Sequence, residues 1–418
     1  MKRLAALLLF ATSAIAGETL TLDQAVSIAI DQNANVRNAQ LEVEKGQTRI
    51  DATRTKRLPS MTFAIVGGEA LNNISIEVDG RDERIDLGRT FSMYGIARIS
   101  QPITQQHAIG LGVRLNEASL AIDKENERAA RLAITREVKS AYFAVLSARG
   151  YADALREAVT AWEEVDREMN VRVAAKTALE ADRLDAAARL ASTRVAALSA
   201  ANSLATAKDR LNYLVGKEVD VEMASATMAD ASGLEARSPE QSNRPDVKEA
   251  ELRLEQAKLD LRLKHADRIP EVALTISSAM PFNNDNLPRN MTSAGITMSY
   301  EPFTWGRRKA EMSEKRHAVE QAENALRDKQ SAAAVEIAVR GRKVEEAAAQ
   351  IAVRRLEVEA ARERLRVTKT KFQQQAVRPD EMFNASASLT QAAAREQEAI
   401  SAYWTARADY EQATGEES

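Results

Sequence analysis

The chain of 418 residues has no cysteine, nine prolines and only 4% aromatic residues. The missing cysteines exclude disulfides, thiolate zinc sites, iron–sulfur clusters, a cysteine nucleophile and a lipid-modified N-terminal cysteine. Few prolines beside 28% charged and 44% hydrophobic residues exclude a collagen-like or disordered chain and point to long helices with charged faces in water. A net charge of −3 gives no electrostatic case for nucleic acid. There is no Walker loop, no HExxH, and no nucleophile with a base near it in sequence. Gly110-Leu111-Gly112 lacks the preceding strand and third glycine of a dinucleotide fingerprint. No cofactor is expected, and His107, His265 and His317 are too scattered to suggest a joint metal site.

Long hydrophobic runs are also missing. Leu4 to Ala11 is apolar, follows Met1-Lys2-Arg3 and precedes Ala14-Ile15-Ala16. A basic head, a short apolar core and a small-x-small site read as a secretory signal peptide over residues 1–16. Removing it takes away two positive charges and leaves −5. No later stretch approaches the roughly 20 apolar residues of a membrane helix, so a membrane crossing by the mature chain requires strands.

Helical periodicity covers residues 21–57, 105–172, 178–215, 243–268, 306–372 and 380–413. Leu155, Val159, Trp162, Val165, Met169 and Val173 recur at threes and fours, as do Leu184, Ala188, Ala191, Val195 and Leu198. Both sets predict seams that pack on neighbouring helices. Two segments alternate instead. Val272, Leu274 and Ile276, then Ile296, Met298 and Tyr300, flank a turn-rich loop at Pro281–Pro288, the signature of a hairpin. Upstream, Met61, Phe63 and Ile65 alternate, the phase shifts after Gly67-Gly68 to Ile74, Ile76 and Val78, and Phe91 begins the return beyond a charged tip at Asp79–Arg84. Five methionines, Met61, Met93, Met280, Met291 and Met298, lie in these hairpins. They either fill the wall or face lipid, or they handle soft metal ions. Tyr94, Tyr300 and Trp305 are candidates for interfacial aromatics or for simple packing.

The two hairpins belong to a duplication. Pro102 and Pro302 are 200 apart, and Gly216 and Gly415 are 199 apart, whereas Pro59 and Pro270 are 211 apart, like Arg57 and Arg268. The offset changes inside the hairpin, so the first hairpin is the longer one. The expected organisation is a first repeat over residues 17–216, with a hairpin at about 60–101 and a tip near 173–180. A linker at 217–242 follows, in which Val219–Met223 is a candidate short strand. The second repeat spans 243–418, with a hairpin at about 271–301 and a tip near 372–380. A helix over residues 105–172 would be on the order of 100 Å long. Four strands fall short of the roughly eight that close a membrane barrel, so an exported chain of this plan must pool strands with copies of itself.

Several stretches carry a family likeness: Leu20-Thr21-Leu22-Asp23-Gln24-Ala25, Arg57-Leu58-Pro59 and Arg268-Ile269-Pro270, Gln101-Pro102-Ile103 and Glu301-Pro302-Phe303, Leu211-Asn212-Tyr213-Leu214-Val215-Gly216, and Asn243-Arg244-Pro245-Asp246-Val247. In this order, within a duplication, they resemble the TolC family of outer-membrane channel proteins over nearly the whole mature chain. The resemblance implies a mainly α chain with a membrane β-barrel part. Long coiled-coil helices would form an α-barrel tunnel, and two hairpins per chain would pool into a twelve-stranded trimeric barrel. It implies a passive exit duct of a tripartite efflux pump or type I secretion system in the outer membrane. Without a cysteine for the lipid anchor that some relatives use, the barrel alone is expected to hold it there in contact with lipid. The implied partners are a periplasmic adaptor and an inner-membrane pump.

The family's tips follow an aromatic-x-x-Gly pattern, then D-x-L-D-A. Here Lys176 and Gln375 stand at the glycine positions, and the tip residues Ala175, Lys176, Thr177, Gln375, Ala376 and Val377 are the implied adaptor-docking candidates. Asp182-Arg183-Leu184-Asp185-Ala186 and Glu381-Met382-Phe383-Asn384-Ala385 match the following block. The resemblance makes Asp182, Asp185, Glu381, Asn384, Arg378 and Phe372 the pore or gate candidates. Glu381 matches a ring acid, Asn384 replaces a second one, Phe372 stands where a latching tyrosine would, and Val377 where an arginine would. Arg378 or Arg183 is the expected substitute partner of Asp182. The competing readings are a periplasmic coiled-coil adaptor or structural protein without a barrel, against which two strand hairpins speak, and a hydrolase on a helical scaffold, which lacks a site.

Overall fold

The computed structural model describes residues 19–69, 75–77, 84–86, 91–217, 220–221, 243–282, 290–374 and 376–416. The signal peptide and most of the linker lie outside them. The order is β1 (Thr19–Leu20), α1 (Leu22–Gln32), α2 (Ala34–Thr55), β2 (Ser60–Glu69), β3 (Ser75–Glu77), β4 (Arg84–Asp86), β5 (Phe91–Pro102), α3 (Gln106–Ala174) and α4 (Glu180–Val215). After β6 (Asp220–Val221) come α5 (Pro245–Ala266), β7 (Glu271–Pro281), β8 (Met291–Ser299), α6 (Arg307–Gln373) and α7 (Pro379–Thr414). Helix, strand hairpin, long helix and shorter helix thus occur twice.

The single helix expected over 21–57 is two. Asn33 is extended at ψ 124°, and its side chain accepts from the Asn35 and Val36 amides at 2.8 and 3.3 Å. It ends α1 and caps α2, because a short polar side chain competes with helical hydrogen bonding. Arg84, expected in the charged tip, belongs to β4, which pairs with β3 through Ile76 opposite Ile85. The candidate strand at Val219–Met223 is realised at Asp220–Val221, parallel to β1.

The chain forms two compact units, residues 41–125 with 248–329, and residues 1–40 with 126–247 and 330–418. The first holds a four-stranded antiparallel sheet in the order β2-β5-β7-β8. The second is helical apart from the short β1–β6 pair. One of its cores gathers Leu20, Ala25, Ala29, Val36, Val138, Tyr142, Leu211 and Val215. Another gathers Ile337, Val344, Ile351, Tyr403 and Tyr410.

The family-like stretches are joints of these cores. Thr21 and Gln24 form a reciprocal capping box on α1, satisfying two otherwise orphaned amides, while Leu20 and Ala25 are buried beside them. Gly216 ends α4 at φ 78° and Gly415 ends α7 at φ 75°, the left-handed cap geometry that glycine adopts without steric cost. At Gly415 a Cβ would also lie 2.5 Å from the Asn243 carbonyl oxygen. Arg244 grips both oxygens of Asp246 at 2.9 and 3.0 Å and reaches Glu336 at 2.9 Å and the Ala413 carbonyl at 3.2 Å. Asp246 foremost, then Glu336, hold the guanidinium above its ordinary range against the opposing effect of burial.

Candidate functional site: a two-faced sheet and a helical tip

The sheet register sorts its side chains onto two faces, because alternate residues of a strand point oppositely. On one face lie Met61, Phe63 and Ile65 of β2, Ala97 and Ile99 of β5, Val272, Leu274, Ile276 and Met280 of β7, and Ile296 and Met298 of β8. The other face is richer in polar residues, with Ser60 and Thr62, Arg98 and Ser100, Thr275 and Ser277, and Ser293, Thr297 and Ser299. It also holds Ala64, Val66, Ile96 and Ala279, while Ser278 and Thr292 interrupt the apolar face. Hydroxyl pairs bridge that polar face, Thr275 with Thr297 at 3.1 Å and Ser277 with Ser293 at 3.0 Å. The apolar face is uncovered: Phe63 is 65% exposed, Met61 74% and Ile296 75%. Four of the five hairpin methionines, Met61, Met93, Met280 and Met298, share the apolar face, and only Met291 is on the polar one. Tyr94 belongs to the polar face. Trp305 is fully exposed just beyond β8, at φ 49°.

A four-stranded sheet with one mainly apolar and one polar-rich face suits a wall between water and hydrocarbon. Among the described residues its outer strands, β2 and β8, each leave an edge of backbone groups open, which must be paired before such a wall can stand in lipid.

The helical unit builds the tip. α3 ends in a Schellman turn: the Thr177 amide reaches the Arg172 carbonyl and the Lys176 amide reaches the Val173 carbonyl, both at 2.9 Å. Lys176 occupies the left-handed position at φ 59°, where the family pattern has glycine. Lysine there is strained by its Cβ. At the second tip the Ala376 amide reaches the Lys371 carbonyl at 2.8 Å. That bond is equivalent to the Thr177–Arg172 bond at an offset of 199. Gln375 lies outside the described residues. Ala175, Lys176, Thr177 and Ala376 are exposed, whereas Val377 packs on the tip core.

That core comprises Trp162, Val165, Met169, Ala186, Leu190, Phe372, Met382 and Phe383, with Trp162 and Phe383 ring centroids 4.7 Å apart. It draws Phe372 inward: the ring is 2% exposed and lies under the Arg172 guanidinium at 4.5 Å. Asp182 is used locally, its carboxylate accepting from the Leu179 amide at 3.2 Å to cap α4. Arg183 bonds Glu180 at 2.5 and 2.9 Å, and this guanidinium holds the Glu180 carboxyl below the usual carboxylate range. Within the chain, therefore, Arg183 does not reach Asp182. Among the described residues Arg378 approaches only Asp380, at 4.0 Å, with its side chain 85% exposed. Asp185, Glu381 and Asn384 are exposed on the first turns of α4 and α7.

The sequence profile of the outer membrane efflux protein family matches residues 25–217 and 237–416. The chain belongs to this family. No protein of curated function matches it in sequence. Solved structures do match in fold. The Campylobacter jejuni CmeC outer membrane channel is 14% identical at TM-score 0.78, covering 97% of this chain and 90% of that one. The open state of the Neisseria gonorrhoeae MtrE outer membrane channel is 18% identical at TM-score 0.76, covering 94% and 88%. The outer membrane protein VceC of Vibrio cholerae is 17% identical at TM-score 0.75, covering 94% and 96%. The efflux-family chain thus has the fold of α-barrel tunnel channels with a β-barrel part, and it is an outer-membrane exit duct. Members of the family are outer-membrane components of tripartite efflux pumps, which implies adaptor partners. They are channels rather than enzymes.

The sequence alone did not separate the inward from the outward stripe of α4. Its buried positions are Ala186, Leu190, Ala200, Leu211, Leu214 and Val215. The predicted seam Leu184, Ala188, Ala191, Val195 and Leu198 is instead exposed, with Leu184 at 54%, Val195 at 68% and Leu198 at 64%. On α6 a second exposed stripe runs through Ala349, Val353, Leu356, Ala360 and Val367.

Proposed function

We propose that three copies of this chain form a passive duct, in which the repeats at 17–216 and 243–418 each contribute one hairpin to a twelve-stranded barrel and one helix pair to a tunnel. The observation that carries this reading is the two-faced sheet with two open edges. Four strands cannot close, whereas three such sheets reach a number that membrane barrels use. Strand directions alternate, so β8 of one copy beside β2 of the next continues the antiparallel pattern. The exposed stripes of α4 and α6 have the spacing of helix seams and supply the matching contacts between helical units.

A periplasmic adaptor would dock at the tips, on Ala175–Thr177 and Gln375–Val377, and an inner-membrane pump would supply the energy. Asp185, Glu381 and Asn384 would stand where the tip narrows. Phe372 contributes by holding the tip core. Arg378, whose side chain is exposed, would latch onto Asp182 of the next copy. Fractionation with amine cross-linking tests the assembly: outer-membrane material of three-chain mass is expected, and a soluble monomer overturns the reading. Arg378→Ala tests the latch without touching the α4 cap. Single-channel conductance in planar bilayers should rise, and unchanged conductance overturns the latch.

A further inference from the structure

The duplication makes one contact within the chain informative about a contact between chains. Where the chain leaves β5, the Thr104 hydroxyl donates to the Pro270 carbonyl at 2.7 Å and accepts from the Val272 amide at 2.8 Å. The Ile103 amide donates to the Val272 carbonyl at 2.9 Å. Thr104 thereby straddles Glu271 and clasps the exit of the first hairpin to the entry of the second. Glu271 opens β7, whose pairing with β5 runs from Ala273 opposite Pro102 to Pro281 opposite Tyr94.

Every participant has a counterpart. Pro102-Ile103-Thr104 corresponds to Pro302-Phe303-Thr304 at an offset of 200, and Pro59-Ser60-Met61 to Pro270-Glu271-Val272 at an offset of 211. The sheet register agrees on β2, since Met61 pairs with Ile99 as Val272 pairs with Met298. The return strand runs at an offset of 199, Ser100 opposite Ser60 and Ser299 opposite Glu271, so one extra residue is absorbed at Tyr300–Glu301 before the prolines realign. Beyond that extra residue the junctions part again after the threonine, where Trp305 and Gly306 take left-handed backbone at φ 49° and 85°. Among the described residues the Thr304 hydroxyl makes no hydrogen bond, and β2, which would receive it, is an open edge.

We propose that Thr304 of one copy clasps the next copy at Ser60, its hydroxyl donating to the Pro59 carbonyl and accepting from the Met61 amide, as Thr104 does at Glu271 within the chain. This rests on the trimeric reading and assigns the residues that seal its seam at the foot of the sheet.

The absence of native cysteine makes the test clean. Ser60→Cys with Thr304→Cys, oxidised in outer membranes, should shift the denatured chain to two- and three-chain masses on a non-reducing gel. Thr104→Cys with Glu271→Cys should link within the chain, leave the mass unchanged and show equal thiol loss. A short bismaleimide in place of oxidation reads both pairs where disulfide geometry is unfavourable. If amine cross-linking of the unmodified protein gives three-chain mass but the Ser60–Thr304 pair links by neither route while the within-chain pair does, the clasp is wrong and the trimer stands. If amine cross-linking itself gives only monomer, the trimeric reading fails. Without cysteines, Thr304→Val should lower the temperature at which the detergent-solubilised trimer dissociates, and Thr304→Ser should restore it. An unshifted Thr304→Val overturns the clasp.

Discussion

Two apolar stripes of the helical unit share a sequence spacing and differ in what covers them. On α3, Leu155, Trp162, Val165 and Met169 are closed within the chain's own cores, with Met169 fully buried. On α4, Leu184, Val195 and Leu198 repeat the same threes and fours and stand in solvent, while Ala186 and Leu190, on roughly the opposite side of the helix, are buried. The difference teaches that periodicity reports an apolar face and is silent about its partner. A face built for another copy reads identically to one built for the chain's own core.

Substitutions on the two stripes therefore separate what folds the chain from what assembles it. Trp162→Ala should cost the most, about 3–5 kcal/mol, because it empties a tip core that Phe383 and Met382 cannot refill. Denaturant unfolding of the chain followed by circular dichroism measures it. Leu190→Ala, on the inward face of α4, should cost about 2–4 kcal/mol in the same assay. Leu198→Glu, eight residues further along the same helix, should change the helix content and the stability of the single chain by less than about 0.5 kcal/mol. Its effect should appear in sedimentation, as a shift from three-chain to one-chain mass. A loss of single-chain stability matching that of Leu190→Ala would mean that the outward stripe is packed within the chain, and the comparison would collapse.

The same distinction explains how much was legible in the sequence. The six helical stretches, the two hairpins and the repeat offsets follow from period and turn chemistry, which are local. The break at Asn33 was missed because it depends on a single side chain capturing two amides inside an otherwise continuous apolar period. The family-like stretches were visible as strings, but their physical roles were not. Arg244 and Asp246 are a clamp on the end of α7, and Thr21 and Gln24 are a helix cap. These residues identify the fold because they hold its joints, and for the same reason they carry no information about cargo. The tip candidates were the least legible. Phe372 and Asp182 were expected at a gate from their places in a motif, whereas the chain itself buries the first in a core and uses the second as a cap. In the proposed trimer, which exposed tip residues face the pore depends on neighbouring copies, and that information is distributed over an interface rather than a local string.

A smaller effect than those of the core substitutions concerns the turn that joins the two stripes. Lys176 sits at the left-handed position of the Schellman turn at φ 59°, and a β-carbon there costs roughly 1 kcal/mol. Its side chain is exposed, so nothing within the chain repays that strain. Lys176→Gly should therefore stabilise the chain by about 0.5–1 kcal/mol after allowance for the greater freedom of glycine in the unfolded state. Lys176→Val should destabilise it, because a β-branched residue is less tolerant of positive φ. Hydrogen exchange at the Thr177 and Lys176 amides, whose bonds to Arg172 and Val173 define the turn, reads both changes locally. Slower exchange in the glycine variant together with weaker adaptor binding would show that the chain keeps a strained lysine for docking. Slower exchange with unchanged adaptor binding would remove Lys176 from the docking surface, leaving the strain as a feature of the turn alone.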